Sequence, residues 1–232
     1  MPVRRRGSLA RRLAQLCELD LGEAALIASG AKYRRQLIAY LGKLSRLERR
    51  LISVISLDLS DVEKARAVFD CLWQSKPHRY LSQGNSKLTD VIDAQLGEEE
   101  VVGNCLGLTL LYNSLGQRFG IPLKALHLDS AFCRGPHVLS LLPAHQGDLD
   151  IENVFPQGFG YPGHLANPGR TEWGNRDLIG ELLVAVGNEK FEDRRLEEAL
   201  ESYEAALVLS PQNQTAQLNR LIVLAELGRD AP

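Results

Sequence analysis

The sequence predicts an α+β fold in which a buried central helix is followed by a meander of short strands. Apolar residues fall on more than one side of the segment Cys105–Phe119, a pattern typical of a helix enclosed by other elements. Three runs with strand character follow, at Leu123–Leu128, His137–Leu142 and Leu149–Val154. Helical patterns precede and follow this unit, so one small sheet is expected within a mainly helical chain.

The composition restricts both the location and the partners of the protein. The chain has 232 residues, of which 44% are hydrophobic, enough for one good core plus a small second unit. A formal net charge of −2 gives no general electrostatic reason to bind nucleic acid. No apolar run approaches the roughly 20 residues that span a bilayer, and no signal-peptide pattern is present. The four cysteines form no CxxC pair, which fits a reducing compartment, so we expect a cytoplasmic protein.

Helices are expected throughout the N-terminal region, residues 1–80. Two capping boxes, Asp20 with Glu23 and Ser60 with Glu63, each stand before a run of apolar residues at helical spacing. A long helical pattern between the two boxes carries many basic residues on its polar side. We interpret this basic face as solvated surface rather than as a binding site.

A cysteine and a histidine in the central region stand in an order that suits thiol catalysis. Asn104 is a good N-cap residue, which would place Cys105 in the first turn of a helix. The backbone N–H groups and the helix dipole there favour a thiolate and would stabilise an oxyanion. His137, at the start of a neighbouring strand, is the expected base. Gln83 and Asn85 are candidates for a second oxyanion donor.

Three acidic residues compete for the role of orienting His137. Asp148, Asp150 and Glu152 alternate along one predicted strand, so they share one face of it. If the preceding turn is centred near His145, antiparallel pairing places Glu152 closer to the level of His137 than Asp150. Glu152 is therefore ranked first, Asp150 second and Asp148 third.

Other interpretations of the reactive residues stay open. Cys105 could be ordinary helix packing, or a redox-regulated thiol without turnover. The residues His127, Cys133, His145 and His164 fit no standard zinc spacing, so no metal and no cofactor is predicted.

From Asp177 onward, alternating charge with alanine and leucine predicts a helical tail. Five residues match the spacing of a tetratricopeptide repeat, a helix–turn–helix unit of about 34 residues: Gly187, Ala199, Tyr203, Ala206 and Pro211. The segment Ala216–Leu227 would begin a further unit, and so short an array is expected to pack on the preceding region. A plain helical hairpin is the alternative. The predicted domains are therefore the N-terminal helical region (1–80), a central core (81–175) and this tail (176–232).

Six short motifs spread along nearly the whole chain carry a family resemblance. They are Asp20–Ala28, Tyr40–Leu44, Ser86–Ile92, Gly103–Cys105, Leu110–Tyr112 and Gly120–Pro122. Together they resemble a bacterial transglutaminase-like family with a papain-like cysteine-protease fold and C-terminal tetratricopeptide repeats. The resemblance implies Cys105 as nucleophile and His137 as base, and the family's Asp-Pro pair falls here on Glu152 and Asn153.

The same resemblance implies a function and an alternative to it. The implied activity is acyl transfer or hydrolysis at an amide, through a Cys-His-Glu/Asp triad acting on a protein or peptide. Members of the family often lack the cysteine. The alternative is therefore a catalytically silent scaffold that mediates protein–protein interaction. Neither the substrate nor the oligomeric state is predicted.

Overall fold

A four-stranded antiparallel sheet and nine α-helices make up the described part of the chain, which covers residues 3–56, 58–144 and 147–229 of a computed structural model. The helices are α1 (Val3–Leu19), α2 (Leu21–Ala28), α3 (Arg34–Ile52), α4 (Asp61–Ser75), α5 (Leu88–Leu96), α6 (Cys105–Arg118), α7 (Asn175–Glu192), α8 (Leu196–Leu209) and α9 (Gln214–Glu226). The strands are β1 (Lys124–Leu128), β2 (His137–Leu142), β3 (Leu149–Ile151) and β4 (Arg170–Trp173), with a short 3-10 turn at Pro162–His164. The fold is thus mixed α and β, as predicted.

Capping side chains fix where the helices of the central region begin. Ser60 and Glu63 make both hydrogen bonds of the predicted capping box at the start of α4. Asn104 Oδ1 accepts a hydrogen bond from the backbone N–H of Gly107 at 3.0 Å, which starts α6 at Cys105. Both predicted helix starts are confirmed.

Helix α6 lies at the centre of the hydrophobic core. Every residue from Leu106 to Gly116 is buried, which confirms the prediction of an enclosed helix. Tyr112 donates a hydrogen bond from its hydroxyl to the Ala65 carbonyl of α4 at 2.7 Å. Gly120, with φ of +72°, ends the helix in the left-handed region that glycine adopts without strain.

The strand order is β3-β2-β1-β4, with every neighbouring pair antiparallel. The predicted bounds of β2 are confirmed, whereas β3 ends at Ile151 instead of continuing to Val154. It ends early because the Glu152 N–H binds the Gly158 carbonyl at 2.8 Å, and not a carbonyl of β2. The turn predicted near His145 lies outside the described residues.

Strand β4 is an element that the sequence did not predict. It pairs only with β1, and its Thr171 and Glu172 are exposed, so no alternation of apolar and polar residues marks it in the sequence. The strand is therefore recognised from its pairing with β1, and not from a pattern in its own sequence.

The two outer strands of the sheet are joined by an ion pair. Arg170 of β4 donates two hydrogen bonds to the Asp150 carboxylate of β3, at 2.6 and 3.0 Å. The face of the sheet that carries this pair also bears a second small apolar cluster: Leu126, Leu128, Ala131, Leu139 and Leu141.

The opposite face of the sheet and all three predicted regions share one large apolar core. The tail packs on the N-terminal helices as expected, and Asn175 Nδ2 donates to the Cys17 carbonyl at 2.8 Å. Near the other end of α7, Glu189 forms an ion pair with Lys87, the N-cap residue of α5, with Oε2 and Nζ 2.8 Å apart. In the described ranges, no helix is both long and apolar enough to cross a bilayer.

Candidate active site

Cys105 and His137 meet at the N-terminal end of α6. Asn104 sets Cys105 as the first residue of α6, and His137 is the first residue of β2, which packs against that helix. The thiol lies close enough to the imidazole for its hydrogen-bonding capacity and negative charge to raise the pKa of His137. Cys105 is half-buried, whereas only 6% of His137 is exposed. The structure thus brings together the two residues that the sequence indicated as nucleophile and base.

A buried polar network holds β2 against α6 behind this pair. Thr109 and Asn113 follow Cys105 at intervals of four residues, so the three lie along one face of the helix. Ser140 Oγ of β2 donates to Asn113 Oδ1 at 2.6 Å. Asn153 Nδ2 donates to Ser140 Oγ at 2.9 Å and to Thr109 Oγ1 at 3.3 Å. Because buried polar groups are costly to leave unbonded, this network fixes the position of the strand that carries the histidine.

Glu152 is the acidic residue that reaches His137. Its Oε2 lies 2.8 Å from His137 Nε2, and its side chain is fully buried. An ionised carboxylate only accepts hydrogen bonds, so Nε2 must carry the proton. The other ring nitrogen, Nδ1, is then left for the Cys105 thiol. The residue ranked first from the sequence therefore occupies the orienting position.

The two hydrogen bonds on His137 also set its charge. Burial alone would lower the pKa of His137, but its bonds to Cys105 and Glu152, together with their negative charge, raise it to about 9. Burial alone would raise the pKa of Glu152, but the imidazoles bonded to it hold that pKa below its ordinary value. The imidazolium and the carboxylate are thus both favoured at neutral pH.

Asp150 and Asp148 do not take part in this contact. The Asp150 side chain is fully buried and is bound by both terminal nitrogens of Arg170. It is paired in the sheet with Leu141, four residues along β2 from His137, which explains why another partner holds it. Asp148 is exposed.

His164 is a member of the site that the sequence did not indicate. Its Nε2 lies 2.9 Å from Glu152 Oε2, the same oxygen that His137 binds, and only 4% of the residue is exposed. It ends the 3-10 turn at Pro162–His164, in the segment between β3 and β4. The aromatic residues Phe159 and Tyr161 were the available signal that this segment folds back onto the protein.

An aromatic side chain stands beside both histidines. The centroid of the Phe132 ring lies 5.4 Å from that of His137 and 5.0 Å from that of His164. Phe132 and Cys133 both adopt left-handed backbone conformations, with φ of +51° and +56°, which non-glycine residues adopt at a cost of about 1–2 kcal/mol each. Phe132 is still 44% exposed, so it forms a wall of the site that faces solvent.

The candidates for a second oxyanion donor lie beside the site without reaching into it. Asn85 Nδ2 donates to the Val102 carbonyl at 3.2 Å, and Gln83 is exposed. Tyr80 is another nearby hydroxyl, since its backbone is bridged to Gly103, two residues before the cysteine. Burial and the neighbouring thiol raise the pKa of Tyr80.

Among the described residues, His137, Glu152 and His164 form the one group whose potential metal-ligand atoms all lie within 4.8 Å of one another. The hydrogen bonds within the group already use both Nε2 atoms and Oε2, so a metal is not needed to explain the arrangement. Of the zinc grouping considered from the sequence, His145 lies outside the described residues. His127 stacks on Trp173, with centroids 4.3 Å apart, and Cys133 is exposed.

No protein-family model, no curated protein and no solved structure matches this chain. Its function is therefore inferred from the geometry of the site.

Proposed function

We propose that the protein is a transglutaminase-like thiol enzyme that transfers or hydrolyses an acyl group at an amide of a protein or peptide. One observation carries the proposal: the buried His137 ring is bonded to the buried Glu152 carboxylate and lies near enough to the Cys105 thiol for that thiol to raise the pKa of the ring. A nucleophile, a base and a group that orients the base are the three parts that thiol acyl transfer requires.

The proposed reaction begins when the Cys105 thiolate attacks the amide carbonyl carbon. The carbonyl oxygen becomes an oxyanion near the backbone N–H groups of the first turn of α6. The imidazolium of His137 then gives its Nδ1 proton to the amide nitrogen, the carbon–nitrogen bond breaks, and an amine leaves behind a thioester on Cys105. Glu152 holds the Nε2 proton of His137 throughout, so the ring keeps its orientation.

The second half of the reaction restores the enzyme. His137 Nδ1 takes a proton from water or from a second amine, and that nucleophile attacks the thioester carbon. The carbon–sulfur bond then breaks, the acid or the new amide is released, and the thiolate of Cys105 again faces the imidazolium. Water as acceptor gives hydrolysis, and an amine gives transamidation.

Two features of the fold support the family part of the proposal. A cysteine-bearing helix packed on an antiparallel sheet is the core expected of the transglutaminase-like fold, and α6 with β2 has that form. In the tail, α7 and α8 form a helical hairpin in which any side chain at Gly187 would collide with the Tyr203 ring. A small residue at the helix–helix contact is expected of a tetratricopeptide repeat.

The reactivity of Cys105 towards an electrophilic probe tests the proposal. The protein is treated with iodoacetamide at neutral pH, and the modified cysteines are located by mass spectrometry. The chain offers its own matched control, because Cys133 is an exposed free cysteine. We expect Cys105 to react at least tenfold faster than Cys133, and His137→Ala to remove that advantage. Equal rates at the two cysteines would contradict the proposal.

Turnover is tested with glutamine-containing peptides. Release of ammonia without an added amine indicates hydrolysis, and incorporation of a fluorescent primary amine indicates transamidation. The control is Cys105→Ala, which should abolish both signals.

A scaffold function is the second candidate, and one observation favours it. The tail exposes four large apolar side chains, which suit a surface for a partner protein or peptide: Val208, Leu218, Leu221 and Ile222. If Cys105→Ala leaves the cellular function intact and the double variant Leu221→Glu/Ile222→Glu abolishes it, the scaffold function is supported over the enzymatic one.

A further inference from the structure

We infer that His164 is a positioning residue of the site, which holds the Glu152 carboxylate in the place from which it orients His137. This inference rests on the proposed function and extends its triad to four side chains. Nothing in the order of residues along the chain indicates such a role for His164. It follows from how the segment after β3 folds back over the sheet.

The first argument is the geometry around one carboxylate oxygen. Glu152 Oε2 lies 2.8 Å from His137 Nε2 and 2.9 Å from His164 Nε2, and all three side chains are at least 94% buried. Both imidazoles must donate, because the carboxylate can only accept. Within the described residues, the other oxygen, Oε1, receives one hydrogen bond, from the backbone N–H of Val154 at 3.3 Å. Without His164, a fully buried anion would keep one short hydrogen bond and one long one.

The second argument is the length of the glutamate side chain. Where the resembled family carries aspartate, Glu152 has one more methylene group and therefore one more rotatable bond. A longer side chain with a single hydrogen bond loses precision, because its carboxylate can pivot about the added bond. The bond from His164 removes that freedom. We therefore interpret His164 as the partner that makes glutamate suitable at this position.

The third argument is that His164 is itself held firmly. Arg170 donates from one terminal nitrogen to the His164 backbone carbonyl at 3.0 Å while it binds Asp150. The ring centroids of Phe132 and Tyr161 each lie 5.0 Å from that of His164. Both the backbone and the ring of His164 are thus fixed, as a positioning residue requires.

The test compares His164→Ala with His164→Gln in the full chain. Glutamine keeps an N–H donor at about the position of the imidazole Nε2, whereas alanine removes the donor. We expect kcat to fall by about 10- to 100-fold in His164→Ala with little change in KM, and to recover most of the way in His164→Gln. The rate at which iodoacetamide alkylates Cys105 at neutral pH should also fall in His164→Ala, because a displaced His137 no longer stabilises the thiolate.

An activity-independent measurement accompanies the kinetics. Nitrogen-15 NMR of the histidine rings in the wild-type protein should show both His137 and His164 protonated at Nε2. In His164→Ala, the signal of the His137 Nε2–H group should broaden or shift towards that of a solvent-exposed ring. A folded His164→Ala protein with unchanged kcat, alkylation profile and His137 signal would overturn the inference. A wild-type protein with the expected ring signals but an unreactive Cys105 would overturn the proposed enzyme function and leave the positioning contact in place.

If His164→Ala unfolds, the conservative variant still decides the question. Because His164→Gln retains the donor, wild-type kinetics in that variant support the inference. A loss in His164→Gln as large as that caused by Glu152→Ala, with a normal circular dichroism spectrum, contradicts it.

Discussion

Asp150 and Glu152 lie two residues apart in the chain and on the same side of the same sheet edge, yet their buried carboxylates have different partners. Asp150 is bound by the guanidinium of Arg170, whereas Glu152 is bound by two imidazoles. Arginine keeps its charge at any pH that a folded protein tolerates, and histidine gains and loses a proton near neutrality. The first pair therefore serves structure, and the second group is suited to moving protons.

The comparison teaches that burial and negative charge alone do not identify a catalytic carboxylate. Both side chains are fully buried, and both make hydrogen bonds of similar length. What differs is whether the partner can exchange a proton with a nucleophile. Only the group around Glu152 leads, through His137, to a thiol.

The largest expected effect comes from Glu152→Gln. The amide keeps the shape of the side chain but loses its charge, and its NH₂ group cannot accept from either imidazole. We expect the rate of turnover to fall by about 10³-fold, since His137 loses the group that fixes its tautomer. Steady-state kinetics and iodoacetamide labelling measure the loss. A rate within threefold of wild type would show that Glu152 is not the carboxylate that orients His137 for catalysis.

Asp150→Asn should act on stability instead. The substitution removes the charge that Arg170 binds, and we expect the free energy of unfolding to fall by about 2 kcal/mol, less than for a fully buried pair because the Arg170 side chain is 22% exposed. Turnover by the folded protein should fall less than tenfold, since Arg170 still contacts His164. Urea denaturation measures the first quantity, and the exposed Asp148→Asn is the matched control, expected to change stability by under about 0.5 kcal/mol. Equal losses of activity in Asp150→Asn and Glu152→Gln would contradict the assignment of a structural role to Asp150 and a catalytic role to the group around Glu152.

The pH dependence of stability should reveal the charge on His137. Because its pKa is raised to about 9 in the folded protein, the imidazolium is bound more tightly there than in the unfolded chain. Its contribution to stability is complete below the unfolded pKa of about 6.5 and is lost as the pH rises through about 9. Urea unfolding between pH 6 and pH 10 should therefore show wild type losing more stability than His137→Gln. Parallel curves for the two proteins would indicate a neutral His137.

Glu152→Asp should have a smaller effect than Glu152→Gln and is the most specific test of the two-histidine contact. The shorter side chain cannot hold both Nε2 atoms at hydrogen-bond distance, so we expect about a tenfold loss of turnover. Because the bond to His164 is already lost, adding His164→Ala should cost little more, and a double-mutant cycle measures this coupling. Fully additive losses would show that His164 acts independently of Glu152.

Elements with local signals could be predicted from the sequence. The start of α6 follows from Asn104, and its burial follows from apolar residues on all sides of the helix. The bounds of β2 were predicted correctly, and the pairing of β2 with β3 across a short turn placed Glu152 near His137. In each case the deciding contacts lie within a few residues or across one turn.

Features that depend on distant contacts could not be predicted. β4 exists because it pairs with β1, and its own exposed residues carry no strand pattern. Asp150 finds its partner 20 residues further along the chain, and His164 reaches Glu152 only after the segment between them has folded back. A sequence pattern describes one segment at a time, whereas each of these contacts depends on two segments that are distant in the chain.

The ion pair between Asp150 and Arg170, which are 20 positions apart in the chain, closes the segment between them into a loop whose ends are tied together. For a flexible segment of this length, loop closure costs conformational entropy that grows with the logarithm of the number of residues. Here that entropy is lost once, when the sheet forms, and not at each encounter with a substrate. The segment that carries His164 is therefore preorganised, and binding energy that would otherwise order it remains available for recognition of the substrate.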